Sequence, residues 1–442
     1  MKKDLTEGNV TKTMLLFSGP MILGNLLQQC YNIADTLIVG KVLGADALAA
    51  VGSAYTLMTF LTSIIIGLCM GSSAVFSVYF GKRETGRMKD SMAAAFIFIA
   101  AVTIVMNMII FAAIHPILHL LQVPADIYDL MQEYVWIIFC GLIFIFFYNY
   151  FAFLLRSVGN SVVPLYFLGG STVMNILLDM LFVMVLKRGV GGAAFATVLA
   201  QILSGVGIGV YVWVKEPELR LRKKEITITR GTAAEVVRHS VAACVQQSVM
   251  NFGILMIQGL VNSFGTMVMA AFAAAVKIDS FAYMPAQEFG NAFSLFISQN
   301  HGGGKKERVK EGTRQAVKIS ILFCVAVSMF IFFFAPYLMQ IFVKSTETEI
   351  IQIGSEYLRI EGAFYCGIGL LFLLYGFFRG VEKPEMSLIL TVISLGTRVL
   401  LAYLLSPVPS IGVKGIWMAI PIGWFLADMV GVICIRKEKY NE

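Results

Sequence analysis

Residues 44–60 read GADALAAVGSAYTLMTF, and residues 265–281 read GTMVMAAFAAAVKIDSF. Laid over each other 221 residues apart, they share Gly44/Gly265, Ala49/Ala270, Ala50/Ala271, Ala54/Ala275 and Phe60/Phe281. The same register carries Ser73, Ser77, Gly81, Arg87 and Lys89 onto Ser294, Ser298, Gly302, Arg308 and Lys310. Further along, Arg156 and Val158 pair with Arg379 and Val381, and Gly189-Val190-x-Gly192-x-x-x-Ala196 with Gly412-Val413-x-Gly415-x-x-x-Ala419. Ten matches on one register and a shared glycine pattern mark the chain as a duplication.

What is duplicated follows from the solvent. The chain has 442 residues, of which 58% are hydrophobic and only 14% charged, and its mean hydropathy is +0.80. A soluble domain carries about 25% charged residues. Roughly 20 apolar residues cross a bilayer core. That ruler places spans near 13–38, 47–80, 91–121, 130–155, 162–187 and 191–214, and again near 233–262, 267–299, 315–343, 352–378, 385–406 and 412–435. The runs are long and do not alternate, which excludes a barrel. The expected fold is an all-α integral membrane protein of twelve transmembrane helices in two six-helix repeats around a central cavity. An even helix number per half makes the repeats parallel, related by an axis along the membrane normal. The expected N-lobe is 1–214, the cytoplasmic linker 215–230 and the C-lobe 231–442.

Basic residues set the orientation. Lys2, Lys3, Lys12, Lys82, Arg83, Arg87, Lys89, Arg156, the cluster from Lys215 to Arg238 (with Lys223 and Lys224), the cluster from Lys305 to Lys318, and Arg379, Lys383, Arg436, Lys437 and Lys439 fall on one side. Lys41, Lys187, Arg188, Lys344 and Lys414 fall on the other. The excess, about five to one, predicts a multi-pass protein of the cell membrane with both termini cytoplasmic. The net charge of +7 is therefore spent on topology, and no nucleic-acid motif accompanies it. The first apolar run, from about Met14 to Val39, is too long for a signal h-region and reads as the first span. The seven cysteines lie in apolar stretches without a CxxC and read as small apolar residues. No GxSxG, HExxH or P-loop pattern is present, so neither an enzyme nor an ATP-driven pump is expected. His115 and His119 stand four apart but have no clustered carboxylate or cysteine in sequence, so no metal site is expected.

Ionisable and polar groups at membrane depth carry the functional reading, because each is costly there. Asn25, Gln28, Gln29, Asn32 and Asp35 in the first span share one helical face. Ser171, Asn175 and Asp179 do so in the fifth, and Thr197 and Gln201 in the sixth. Such a stripe faces the bundle interior or a wet cavity. The amides serve equally as interhelical glue or as cavity lining, whereas a carboxylate is an expensive glue. The repeat acts as a control: Asp35 corresponds to Met256, and Ser171, Asn175 and Asp179 to Ser394, Arg398 and Ala402. The fold is thus made once without these acids. In the second half, Lys277 and Asp279 read as a compensating pair, Glu288 and Glu361 as carboxylates that meet a cationic substrate, and Asp428 as a solvated group near the end of the last span. Pro20 and Pro285 interrupt helix hydrogen bonding, and Pro20 is a candidate hinge on the helix that carries Asp35.

The chain resembles the multidrug and toxic compound extrusion (MATE) family of secondary transporters. The resemblance rests on Gly19-Pro20, Asp35-Thr36-Leu37-Ile38-Val39-Gly40, LGADALAAVG at 43–52, the glycine-basic connection after Ser77, Arg156-Ser157-Val158-Gly159-Asn160, Asn175-Ile176-Leu177-Leu178-Asp179 and Gly189-Val190-Gly191-Gly192-Ala193-Ala194. It runs along essentially the whole chain. The stretch GKRETGR at 81–87 fits poorly the DRxGRR-like stretch expected of the major facilitator type.

The resemblance implies export of cationic or amphipathic small molecules by alternating access, driven by inward flow of protons or sodium ions, with no other cofactor. It also implies that Asp35, Asp179, Asn175 and Thr197 form the coupling-ion site. Two carboxylates in a low-dielectric cavity repel, so a proton can be taken up between them on one side and released on the other. The same oxygens are suited to a sodium ion. Some members place coupling carboxylates in the seventh and tenth spans. Here the seventh offers Gln246, Gln247 and Asn251 and no carboxylate, so a C-lobe ion site of that type is not expected. The expected substrate cavity gathers Asn25, Gln28, Gln29, Asn32, Ser171, Gln201, Gln246, Gln247, Asn251, Glu288 and Glu361. The partners expected are the lipid bilayer and a small-molecule substrate, with the chain acting as a monomer. Two other functions are open at this point: a flippase for lipids or lipid-linked sugars, and a non-transporting membrane scaffold or receptor.

Overall fold

The computed structural model describes residues 4–120, 123–222 and 226–441. Lys2, Lys3, Lys223 and Lys224 of the orientation argument lie outside the described residues, as do the side chains of Lys437 and Lys439. The described residues are helical nearly throughout, with no strand. A bilayer core has no water to satisfy exposed N–H and C=O groups, so apolar segments close their hydrogen bonds along their own axis.

In chain order the helices are α1 (Val10–Leu43), α2 (Ala45–Gly81), α3 (Thr85–Ala112), α4 (Ile114–Leu120), α5 (Ala125–Cys140), α6 (Leu142–Ser157), α7 (Val162–Asp179) and α8 (Gly189–Lys215). The second series is α9 (Arg230–Asn262), α10 (Thr266–Gly302), α11 (Lys306–Met339), α12 (Thr348–Gly362), α13 (Tyr365–Gly380), α14 (Pro384–Leu405) and α15 (Lys414–Asn441). Ten segments are each long and apolar enough to cross a membrane, and the pairs α5–α6 and α12–α13 each make one further span, bent by 44° and 52°. Twelve spans result, six to a repeat.

The structure sharpens the expected spans in two places. The fourth and tenth are broken, at Gly141 and at residues 363–364, the same point of the repeat. The third ends at Ala112 and is followed by the short α4, whose His115 Nδ1 lies 2.8 Å from Tyr128 Oη. Of the cysteines, Cys69 and Cys324 are buried, whereas Cys30 and Cys140 are exposed and so are not core residues.

The repeat persists in the backbone. The turns before α2 and α10 place Gly44 and Gly265 at φ 92° and 94°, a region closed to most side chains. The turn after α2 is left-handed at Arg83 (φ 61°) and its partner after α10 at Gly304 (φ 66°). Likewise Gly159 (φ 84°) answers to Glu382 (φ 63°). The left-handed turn is thus kept in both halves even where one of them has lost the glycine.

Packing divides the chain into two compact units that do not coincide with the repeats. One holds Gly19–Cys244 with Asp4; the other holds Leu5–Ser18 and everything from Val245 onward. In the first unit the opening turns of α9 cross α2 with no side chain between them. A Cβ added at Gly67 would lie 2.6 Å from Cys244 Cα, and one at Gly71 2.7 Å from Ser240 Cα. Ser72 and Ser240 hydroxyls meet there at 2.7 Å, and Tyr79 Oη donates to Glu235 Oε2 at 2.6 Å. Behind this crossing, Phe96, Phe146, Phe147 and Tyr150 form an aromatic core. In the second unit Phe272 stacks on Trp417 at 5.3 Å, with Tyr357 edge-on to both. There α10 and α13 approach through Gly290, Gly376 and Gly380.

The chain's beginning is held within the second unit. Leu5 is fully buried, its N–H donates to Gln299 Oε1 at 3.1 Å, and its carbonyl accepts from Asn300 Nδ2 at 3.1 Å. Lys305 Nζ donates to Thr6 O at 2.7 Å, and Arg308 donates to Glu7 O and Gly8 O, both at 2.6 Å.

Gly71→Leu tests the close crossing. Overpacking a filled core costs about 1–3 kcal/mol or more, so the purified variant should show a clearly lower thermal midpoint in detergent. Leucine at Gly86, where no atom lies within 4 Å of the added Cβ, should leave the midpoint nearly unchanged.

Candidate ion and substrate sites

Asp35 on α1, Asn175 and Asp179 on α7 and Thr197 on α8 come together in the first unit. Gly24 of α1 lies against Leu165 and Leu168 of α7. Immediately after Asp179 the helix widens into a π-helical turn over Met180–Val185, closed by Leu186 N–H to Leu181 O at 2.8 Å. Such wide turns shift the backbone register and recur at functional sites.

Asp179 is fully buried and Asn175 is 1% exposed. The Asp35 and Asp179 carboxyls lie within reach of each other. With its amide oriented by its partners, Asn175 donates to Asp179 Oδ2 at 2.8 Å and accepts from the Thr197 N–H at 3.2 Å. Thr197 Oγ1 donates to Ala193 O at 3.1 Å and lies 3.4 Å from Tyr31 Oη. Asp179 thus meets the Asn175 amide at Oδ2 and the Asp35 carboxyl beside it. Every group aimed at this point is an oxygen or a weak donor, a set that suits a proton or a hard cation.

The other polar residues expected here have separate places. Asn32 Nδ2 donates to Tyr55 Oη at 3.1 Å. Ser171 bonds its own helix, at Leu168 O, 2.9 Å away. Gln201 Oε1 lies against Gly141 at the bend of the fourth span, so its contact is with that bend. Asn25 and Gln29 are half-buried and Gln28 is exposed on α1. Pro20 sits inside an unbroken α1, one residue past the point where the helix passes from one compact unit to the other, and α10 likewise runs through Pro285.

Among the described residues the second unit holds three polar cavities, the largest of them lined by Gln340, Gln352, Glu356, Arg359 and Lys414 and containing none of the expected site residues. Of the other two, the larger, about 90 Å³, is lined by Asp279, Glu361 and Arg398 with Tyr283, Tyr357, Phe372 and Trp424 among its walls. Glu361 is 1% exposed and Asp279 is 6% exposed. Tyr365 Oη donates to Asp279 Oδ1 at 2.6 Å, and Asp279 also lies within reach of Glu361 and Tyr357. The smaller, about 10 Å³, is lined by Gln246, Gln247, Gln287, Asn291 and Arg379. Arg379 donates to Asn291 Oδ1 at 2.9 Å, and Asn291 donates to Glu288 Oε1 at 3.3 Å.

Several expectations are corrected. Lys277 does not pair with Asp279: its ammonium lies over the Phe342 ring at 5.9 Å, while Asp279 turns inward to the tyrosines. Asp428 is not solvated but 6% exposed, with Oδ1 lacking a partner. Glu288 and Glu361 do not share a site, and Asn251 lines none of the three cavities. Sequence reasoning also missed Tyr31, Tyr55 and Tyr134 around the N-lobe acids. Tyr31 stands one helical turn before Asp35, a spacing that places it on the same face. Tyr134, on α5, gave no such signal.

The comparisons with known proteins agree with this architecture. The MatE family model matches the chain twice, over residues 20–181 and 242–404, once in each repeat. A probable multidrug resistance protein of Bacillus subtilis, YpnP, is 30% identical over 99% of this chain and 97% of its own length. The probable multidrug resistance protein NorM of Thermotoga maritima is 26% identical, covering 97% of this chain and 91% of that protein. A solved structure described as the outward-facing conformation of a multidrug resistance MATE family transporter superposes with a TM-score of 0.92 at 25% identity, covering 98% of this chain and 97% of the other. Spans, duplication and family model converge: the chain belongs to the MatE family, the multidrug and toxic compound extrusion transporters.

Proposed function

We propose that the chain exports cationic and amphipathic organic compounds across the cell membrane, in exchange for protons or sodium ions, by alternating access. The observation that carries this reading is the pairing of Asp35 with buried Asp179, held by Asn175, at positions whose repeat partners Met256 and Ala402 are not acidic. An architecture made twice but acidified once has a functional rather than a structural reason for the acids. The multidrug resistance names of its relatives support the direction and class of transport. The excess of Lys and Arg on one side supports cytoplasmic termini, and the lobes of a single chain suffice for the cycle, so the working unit is a monomer.

In this mechanism an ion entering the N-lobe occupies the Asp35–Asp179 pair and removes their mutual repulsion. Asn175 and Thr197 hold the α7 carboxylate in place, so loading the pair changes the contact between α1 and α7. A substrate with positive charge is favoured in the cavity while the acids are unloaded and displaced when they are loaded, which couples the two flows in opposite directions.

Asp35→Asn and Asp179→Asn should each abolish ion-driven export while the protein stays folded. Proteoliposome transport of a fluorescent cationic dye under an imposed proton gradient, and then a sodium gradient, measures this. Wild-type rates in either variant would refute the assignment. Asn175→Leu removes the donor to Asp179 and leaves a buried carboxylate oxygen without a partner. It should cost about 1–3 kcal/mol, read as a lower thermal midpoint, whereas Asn175→Gln should keep part of the loss from appearing.

A further inference from the structure

The largest cavity of the second unit, about 700 Å³, is lined by the last turns of α11, by α12 and by Lys414 at the start of α15. Its volume falls among those of sites that hold small molecules, about 300–1,000 Å³. Gln352, Ser355, Glu356 and Arg359 stand at i, i+3, i+4 and i+7 on α12, so one helical face supplies much of its polar wall. The lining carries two cations against one acid, and the acid is taken: Lys414 Nζ holds Glu356 Oε1 at 2.6 Å. Among the described residues Arg359 has no acid of its own. Its Nε donates to Phe332 O at 3.3 Å, and its guanidinium lies over the Phe332 ring at 5.8 Å. Ser355 is 4% exposed, and among the described residues its hydroxyl has no hydrogen-bond partner. Arg359 lies about 16 Å along α12 from Thr348, beyond the polar turn KSTETE at 344–349. A cation at that depth is costly without a counter-charge. Beside it the wall of α11 is open, with Phe333 69% and Tyr337 67% exposed.

We propose that this cavity holds the headgroup of an anionic phospholipid, with Arg359 taking the phosphate, the Ser355 hydroxyl donating to a phosphate oxygen, and the acyl chains lying along Phe333 and Tyr337. The planar fork of a guanidinium matches phosphate oxygens, and basic pockets between membrane helices hold lipid headgroups. A lipid fits better than a soluble anion because the open wall is apolar and aromatic, a surface that acyl chains cover and water does not favour. Headgroup chemistry is selected as well. Gln340 and Gln352 offer amides to a glycerol headgroup, whereas a choline ammonium would meet two cations and a carboxylate already held by Lys414. The assignment does not depend on what the chain transports.

The test is native mass spectrometry of the full chain in detergent, titrated with dioleoyl phosphatidylglycerol or dioleoyl phosphatidylcholine. Wild type should bind phosphatidylglycerol in preference to phosphatidylcholine. Arg359→Ala should weaken phosphatidylglycerol binding about tenfold, the loss of one charge-assisted contact, and Arg359→Lys should recover part of it. Ser355→Ala should weaken it about fivefold, the loss of one neutral hydrogen bond. No preference between the lipids in wild type, or equal phosphatidylglycerol affinity in wild type and Arg359→Ala, overturns the proposal. Displacement of phosphatidylglycerol by an equal concentration of glycerol 3-phosphate would make this a site for soluble phosphates and also overturns it. If Arg359→Ala fails to fold, wild type decides the matter with a phosphatidylglycerol that carries a photoreactive headgroup. Adducts on α12 or at Lys414 uphold the site; adducts found only elsewhere remove it.

Discussion

Everything in this protein follows from the refusal of a bilayer interior to solvate a polar group. That refusal forces the backbone into helices, and it makes each membrane-depth carboxylate, amide or guanidinium accountable to a partner. Where the partner is present, as when Asn175 donates to Asp179 or Tyr365 to Asp279, the group is held in one place. Elsewhere the partner is another charge, as where Arg398 stands within electrostatic reach of Asp279 and Glu361. In a soluble protein, water would take the place of such partners and they would mean little.

The two lobes solve the same problem with opposite chemistry. In the N-lobe, two acids close to each other are tied by an amide, a compact set for a small ion. In the C-lobe, acids are drawn from other helices and a guanidinium takes the amide's place, beside aromatic walls. Duplication supplied the frame twice, and divergence at a few positions of α7 and α14 set different charges in each copy. Symmetry at the level of turns, kept even at Arg83 and Glu382, coexists with asymmetry at the level of charge.

The twelve spans and their repeat were legible in the sequence because membrane helices advertise themselves by length and hydropathy, and because glycine and serine positions recur on one register. Helical spacing made legible which polar side chains share a face within each N-lobe helix, whereas the grouping of Asp35, Asn175, Asp179 and Thr197 across helices came from the family resemblance. What was not legible depends on contacts between helices far apart in sequence. Lys277 and Asp279, two residues apart, look like a pair on paper. On a helix that spacing turns them about 200° from each other, and each finds its partner elsewhere. Asp428 looked terminal by position, yet its burial is set by the packing of α15. The broken fourth and tenth spans lay hidden because a bend at one or two residues, Gly141 in one and Ala363-Phe364 in the other, leaves hydropathy unchanged.

The exchange of helix beginnings between the compact units bears on how the molecule is made. Leu5 is synthesised well before its hydrogen-bond partners Gln299 and Asn300, which lie 294 and 295 residues further along. The opening turns of α1 must therefore remain undocked while nearly two thirds of the chain is synthesised. The first lobe, for its part, cannot finish until the start of α9 has followed the linker and reached Gly67 and Gly71 on α2. Neither half is a folding module in its own right, so the order of synthesis makes completion of both lobes a late and joint event.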